Sequence, residues 1–357
     1  MVVDDLKVFK LLNIYENDIC KNVKNKKKLY DFEMNKMQHI SSIIDMLKNG
    51  NVGHNSYNIF LIYEPKCRLV MSLSIKDKLI NHFITRYVLE KNLTKFLDPR
   101  NVATRKGMGT DYAIKLMLKY INTLKRKYKN VYVLKLDISK YFYTIDHTVL
   151  KELLKNNLNA FDYEVISNII DSTNKEYVNT IIKKYIDKNN VDIPLYQYGK
   201  GLPIGNMTSQ FLSIYYLYKL DHFIVHDLHL KYYVRYMDDF LIFSNDLEYL
   251  KECKDKIIDI LEKEYKLKIN KKKTWICNIE DGFSFLGYTY KKKRLRIKRS
   301  NIEKVKKRVK KLRYLYDTNS ISMYSAFCSI MTYTYSYKYS HNTKILKIID
   351  RYWYHEK

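Results

Sequence analysis

The sequence predicts an α+β fold, a sheet domain carrying helices on one face with helical segments at both ends. Two observations carry that prediction. Two β-type runs, Tyr232-Tyr233-Val234 and Phe240-Leu241-Ile242-Phe243, flank the acidic break Tyr236-Met237-Asp238-Asp239 and read as a hairpin with adjacent carboxylates at its tip. Around it the order strand, helix, hairpin, helix, strand runs through the middle of the chain, and the 9 Gly and 4 Pro gather at a few breaks.

Taken in order, residues 1–48 read as helical and basic, with the run Lys24-Asn25-Lys26-Lys27-Lys28 as a solvated helix face or an RNA-contacting arm. Residues 57–73 alternate like a strand pair around a turn at Pro65. A helix follows over 76–97, and Gly107 and Gly109 open a loop before a helix to about Lys127. Val131 to Ile138 is a strand, and helices run from His147 to about Lys188. The Gly/Pro loop Gly199 to Gly205 leads into an apolar helix, Thr208 to Val225. After the acidic hairpin come a helix (Leu247 to Tyr265), a short strand at Leu267-Lys268-Ile269 and a hairpin over Phe283 to Ile297. The remainder, with Lys291-Lys292-Lys293-Arg294 and the stretch Lys304 to Arg313, is helical and very basic.

Across 357 residues, 65 Lys+Arg stand against 38 Asp+Glu, a net charge of +27 that favours a polyanionic partner, nucleic acid before a membrane surface. No apolar stretch approaches bilayer length, and the N-terminus carries Asp4 and Asp5 without an apolar signal core. Five single cysteines form no CxxC pair, which speaks against a zinc ribbon or disulfide framework and for an intracellular, cytoplasmic protein. His222, His226 and His229 lack a further ligand group, so a zinc site there is disfavoured.

The acidic tip has a candidate chemistry. Two neighbouring like charges must be solvated or neutralised, and a divalent metal held by carboxylates is the usual companion of substrate phosphates. Alone such a turn is weak, because any solvated hairpin tip can carry Asp-Asp. A partner lies about a hundred residues upstream, where the strand Val131 to Ile138 ends in Asp137. Two-metal phosphoryl transfer needs carboxylates from separate elements around ions about 3.5–4 Å apart. Asp137 and Asp238 on adjacent strands would meet that need, whereas a mere turn cap at Asp137 leaves the pairing of the motifs unexplained.

At these residues the chain resembles the reverse transcriptase family. Tyr236-Met237-Asp238-Asp239 matches its YxDD box, and Asp137-Ile138-Ser139-Lys140-Tyr141-Phe142 its preceding aspartate box. Gly201 to Gln210 resembles its glycine loop and helix, and Asn270 to Thr274 and Phe285-Leu286-Gly287-Tyr288 resemble its later boxes. The resemblance, over about 60–290, implies a right-hand polymerase with fingers, a palm with an antiparallel sheet, and a helical thumb. The expected division is a helical basic segment at 1–48, fingers and palm at 49–290, and a basic thumb at 291–357.

It also implies roles. Asp137, Asp238 and the carbonyl of Ile138 would hold two Mg²⁺ ions (Mn²⁺ being the alternative), with Asp239 supporting and Lys273 donating a proton to pyrophosphate. Phe142 would be a steric gate against the ribose 2′-hydroxyl, and Gly201 and Gly205 would admit backbone close to the nucleotide. Ile204, Gln210, Lys66, Arg68 and Arg105 would line the substrate site, and Lys106 with Phe285, Leu286, Gly287 and Tyr288 would meet primer and template. Expected partners are a structured template RNA, the cDNA/RNA duplex, dNTPs and a small basic accessory protein, with no membrane. Ile204-Gly205 and Ser209-Gln210 depart from the Gln-Gly and Ser-Pro of group II intron and retron enzymes. They resemble the reverse transcriptases of diversity-generating retroelements, which are bacterial or phage-encoded and copy template adenines with errors. Lys78 stands where those relatives carry Arg, and bacterial antiviral defence reverse transcriptases share much of the pattern. An idle RNA-binding scaffold is the remaining alternative, against which the intact Asp137, Asp238 and Asp239 speak.

Overall fold

Alternating apolar residues form an antiparallel pair, β1 (Asn58–Ile62) and β2 (Arg68–Ser72), with Asn58 opposite Ser72 and Ile62 opposite Arg68. The computed structural model describes residues 2–23, 25–52, 56–63, 67–340 and 343–355. The expected turn at Pro65, and Lys66 with it, lies outside those residues. The inward side chains Ile59, Leu69 and Met71 pack with Val178 and Ile182 of the helix Glu176–Asn189 and with Ile193 and Tyr196 after it. Each such buried aliphatic side chain contributes about 1.5–3 kcal/mol.

The chain divides into two units, Met1–Ala113 with Lys135–Ile242 and Glu248–Trp275, and Ile114–Leu134 with Phe243–Leu247 and Ile276–Lys357. A four-stranded sheet has the order β4-β5-β3-β6, with β3 at Tyr132–Asp137, β4 at Tyr233–Tyr236, β5 at Asp239–Ser244 and β6 at Trp275–Asn278. β4 and β5 pair antiparallel from Tyr233 opposite Ile242 to Tyr236 opposite Asp239, leaving Met237 and Asp238 as a two-residue turn. The helix Leu247–Lys263 buries Leu250, Cys253, Ile257 and Leu261, one stripe at helical spacing.

Three elements differ from the sequence expectation. Leu267-Lys268-Ile269 forms a single bridge, Ile138 opposite Ile269, and no strand; β6 fills the sheet position instead. The helix expected over Thr208 to Val225 breaks at Leu217, whose φ of −105° and ψ of 16° separate Met207–Tyr216 from Tyr218–His222. The expected hairpin over Phe283 to Ile297 is a three-stranded sheet, β7 (Phe283–Phe285), β8 (Tyr288–Lys291) and β9 (Arg294–Ile297). Its second turn, Lys292-Lys293, has φ of 49° and 60°, the geometry that Asn-Gly normally signals, so two lysines conceal it.

In the second unit the helix Arg299–Asp317 buries Val305, Val309 and Leu312 against Ala326, Ile330, Ile345 and Trp353. Among the described residues, no helix is long and apolar enough to cross a membrane.

Candidate active site

β3 delivers Asp137 at its end, 7% exposed. Its carbonyl accepts the Asn270 amide at 2.7 Å, and the next amide, that of Ile138, donates to the Asp238 carbonyl at 3.3 Å. The strand end and the β4–β5 turn are therefore joined by backbone, and the three carboxylates Asp137, Asp238 and Asp239 fall together. Lys273 Nζ donates to both oxygens of Asp137, at 2.9 and 2.8 Å. Lys135 Nζ lies 3.0 Å from Asp239 Oδ1 but hydrogen-bonds Oδ2 at 3.2 Å; its approach to Oδ1 misses the hydrogen-bonding direction.

Burial pushes the Asp238 carboxyl up to about 6, and repulsion from Asp137 and Asp239 adds to this against its own backbone amide and Lys273. Asp239 is also raised, by burial first, with Lys135 opposing. A crowded set of hard oxygens whose charges disfavour one another fits a divalent cation. Asp239 Oδ1 is buried and accepts no hydrogen bond, with the Lys135 ammonium 3.0 Å away. Among the described residues no three His, Cys, Asp or Glu side chains already converge as a cation cage. Lys273 spans Asp137 instead, and an ion held by Asp137 and Asp238 would take its place there.

Beside the carboxylates, Phe142 sits half-buried on the short helix Tyr141–Thr144, and its carbonyl accepts the Leu202 amide at 2.7 Å. Gly201 donates to Ile145 O at 2.8 Å; its φ is +87°, and a Cβ there would lie 2.5 Å from the Tyr196 ring. Ile204 O accepts the Met71 amide of β2 at 2.9 Å, and a Cβ on Gly205 would meet Val70 at 3.0 Å. Burial pushes the hydroxyl of Tyr143 up to about 12, and Arg68 on β2 is near enough to oppose this. Phe142, Ile204, Gly205 and Arg68 are thus drawn around one loop, and Gln210 is exposed on the helix that follows it.

Arg105 is committed elsewhere: its Nη1 donates to the carbonyls of Asp98 and Asn101, at 2.7 and 3.0 Å, in its own loop, where Lys106 is exposed. Phe285, Leu286, Gly287 and Tyr288 belong to the second unit. There the Gly287 carbonyl accepts the Lys298 amide at 3.0 Å and Asn301 Nδ2 at 3.2 Å, while Phe285 and Tyr288 are buried. His222 Nε2 lies 2.9 Å from the Phe96 carbonyl.

Sequence reasoning gave no role to Arg235, Asp221 or Lys135. Arg235 and Asp221 form an ion pair with no exposed side-chain surface, Nε donating to Oδ1 at 2.6 Å. Tyr233 OH donates to the same oxygen at 2.6 Å, and Arg235 Nη1 reaches the Met237 carbonyl at 3.1 Å. Burial raises the Asp221 carboxyl, but the guanidinium beside it keeps the pair ionised, since neutral Asp221 would strand a buried cation. Half of the signal was present: a charge at Arg235 inside the strand-like run Tyr233-Val234-Arg235-Tyr236 needs a buried partner. Asp221, in the apolar stretch from Thr208 to Val225, is that partner.

Comparison with known proteins bears on the family and the fold. The family described as reverse transcriptase (RNA-dependent DNA polymerase) matches residues 48–290. Protein YkfC of Escherichia coli (strain K12) is 24% identical over 199 residues, covering 46% of this chain and 48% of YkfC. The chain thus spans about half the length of that curated relative. Apo telomerase from Candida tropicalis, truncated from its C-terminal domain, superposes with a TM-score of 0.50 at 17% identity, over 69% of this chain and 55% of that one. Telomerase from Candida albicans, in complex with a TWJ fragment of telomeric RNA, gives 0.50 at 12% identity, over 89% and 66%. At such identities these likenesses show the fold alone, an α+β right-hand polymerase.

Proposed function

The chain belongs to the reverse transcriptase family, and from that premise we propose that it extends DNA strands on an RNA template. The observation that carries this reading is the meeting of Asp137 at the end of β3 with Asp238 and Asp239 at the β4–β5 turn. Held by Asp137, Asp238 and the carbonyl of Ile138, two Mg²⁺ ions (or Mn²⁺) would lower the pKa of the primer hydroxyl and neutralise the leaving pyrophosphate. Asp239, held by Lys135, supports them. Lys273, released from Asp137, carries a proton within reach of the leaving pyrophosphate. Phe142 fills the space of a 2′-hydroxyl and selects dNTPs, while Gly201 and Gly205 let backbone approach the nucleotide beside Ile204 and Gln210. Arg68 and Lys66 supply positive charge for the triphosphate, and Arg105, tied by Nη1 to the carbonyls of Asp98 and Asn101, adds charge to that site only through its remaining guanidinium nitrogens. Lys106 in the first unit, and Phe285 to Tyr288 in the second, each receive primer or template. The corresponding division is a basic segment at 1–48, fingers and palm at 49–290, and a thumb at 291–357. The test is single-nucleotide extension of a primer on RNA: activity in wild type and none in Asp238→Asn supports the reading, and equal activity in both overturns it.

We assign the biological role to a diversity-generating retroelement, with a structured RNA and a small basic accessory protein as partners. Ile204 supports this, since it offers an aliphatic side chain where related enzymes carry a Gln able to bond polar edges. Sequencing the cDNA made in cells tests it. Scattered changes at template adenines support the retroelement, and a faithful or repetitive copy of one small RNA indicates the defence enzyme.

A further inference from the structure

The two-residue turn that carries Asp238 is strained. Met237 has a φ of +57° at the first turn position, where glycine is the favoured residue. Something must hold it. Arg235 Nη1 donates to the Met237 carbonyl at 3.1 Å, while Ser213 Oγ, whose hydrogen goes to the Gln210 carbonyl at 2.8 Å, lies 3.5 Å from the Met237 sulfur. The rest of the guanidinium is fixed by Asp221 and by the Ile214 carbonyl, to which Nη2 donates at 2.9 Å. The strand itself is held on its outer side, Arg235 N donating to Arg100 O at 2.9 Å and Val102 N to Arg235 O at 3.0 Å.

Stability alone does not account for this arrangement. A fully buried ion pair costs about as much in desolvation as it returns, and apolar replacements of similar volume are often as stable. What apolar side chains cannot supply is a fixed N–H donor aimed at a turn carbonyl next to a carboxylate. We propose that Arg235, locked by Asp221, is a positioning residue that clamps the Met237 carbonyl and so sets where the Asp238 carboxylate presents itself to a divalent cation. The proposal rests on the polymerase reading above and extends it to residues that touch no substrate.

Two variants probe it. Arg235→Lys keeps the charge against Asp221, but one compact ammonium cannot serve Asp221, Ile214 O and Met237 O together. The double variant Arg235→Met with Asp221→Leu removes the pair and fills its space. For each, far-UV circular dichroism and a thermal melt establish folding. Mn²⁺ affinity is read by paramagnetic resonance on the free protein, and the single-nucleotide rate and template–primer Kd are read separately. The expected result is a roughly 10- to 100-fold loss of Mn²⁺ affinity and of rate, with template–primer Kd within about twofold of wild type. Adding Met237→Gly, which needs no clamp to reach a positive φ, restores at least part of both losses.

A folded variant with wild-type Mn²⁺ affinity and rate overturns the clamp. So does a loss that Met237→Gly leaves untouched while duplex affinity falls equally, because that is the mark of a general packing defect. If the double variant does not fold, Arg235→Lys decides by the same readouts. A wild-type protein that binds Mn²⁺ through Asp238 yet incorporates no nucleotide refutes the polymerase reading, and the clamp is still judged by Mn²⁺ affinity.

Discussion

Asp238 answers two opposed demands, since burial and its neighbours Asp137 and Asp239 disfavour its charge while a cation would require it. Removing that charge in Asp238→Asn leaves the turn backbone intact, so template–primer affinity should persist while incorporation falls by on the order of a thousandfold or more. Quench-flow extension beside a binding isotherm separates the two. Phe142→Ala should raise the ratio of rNTP to dNTP incorporation; an unchanged ratio in competition assays would reduce the ring to a packing role. Gly201 is constrained by packing, with a φ of +87° and the Tyr196 ring and Tyr143 carbonyl where a Cβ would go. Gly201→Ala should therefore cost about 2–4 kcal/mol in denaturant unfolding.

At the scale of elements, turn chemistry explains most of what the sequence concealed. The β4–β5 hairpin and β3 were legible because apolar runs end at acidic breaks, and those two elements hold the three carboxylates. The β8–β9 turn was hidden because Lys292 and Lys293 both take positive φ without glycine or asparagine. Replacing them by Asn and Gly should stabilise the three-stranded sheet by about 1 kcal/mol, and loss of stability in chemical unfolding would show that the lysines gain more than their backbone costs. β6 was missed because its burial is intermediate throughout, without the alternation that marks a half-buried strand. The clamp was legible only as a demand, a strand charge that needs a buried counter-charge; which residue meets it was hidden for a different reason. Asp221 and Arg235 lie fourteen residues apart, and only the tertiary fold shows that each is the other's counter-charge.

At the scale of the whole molecule, the charge of +27 is unevenly placed. The helix Arg299–Asp317 carries eight Lys and Arg against Glu303 and Asp317, and its buried stripe of Val305, Val309 and Leu312 leaves those cations on the other faces. In the same unit a cavity of about 1550 Å³ is lined by Arg126, Lys293, Arg294, Arg296, Arg299 and Lys344 among others, with Glu303 as the one acid among the described residues of its lining. Cations gathered this way repel one another unless phosphates stand between them, and each phosphate neutralised releases condensed counterions into solution. Binding of an RNA-containing duplex should therefore fall steeply with salt, by roughly a thousandfold between about 50 and 200 mM if six or more phosphates are engaged. Arg294→Ala and Arg296→Ala should each flatten the slope of log Kd against log salt by about 1. A shallow slope in wild type, or a slope unmoved by both substitutions, would mean that this excess charge serves something other than a phosphate backbone.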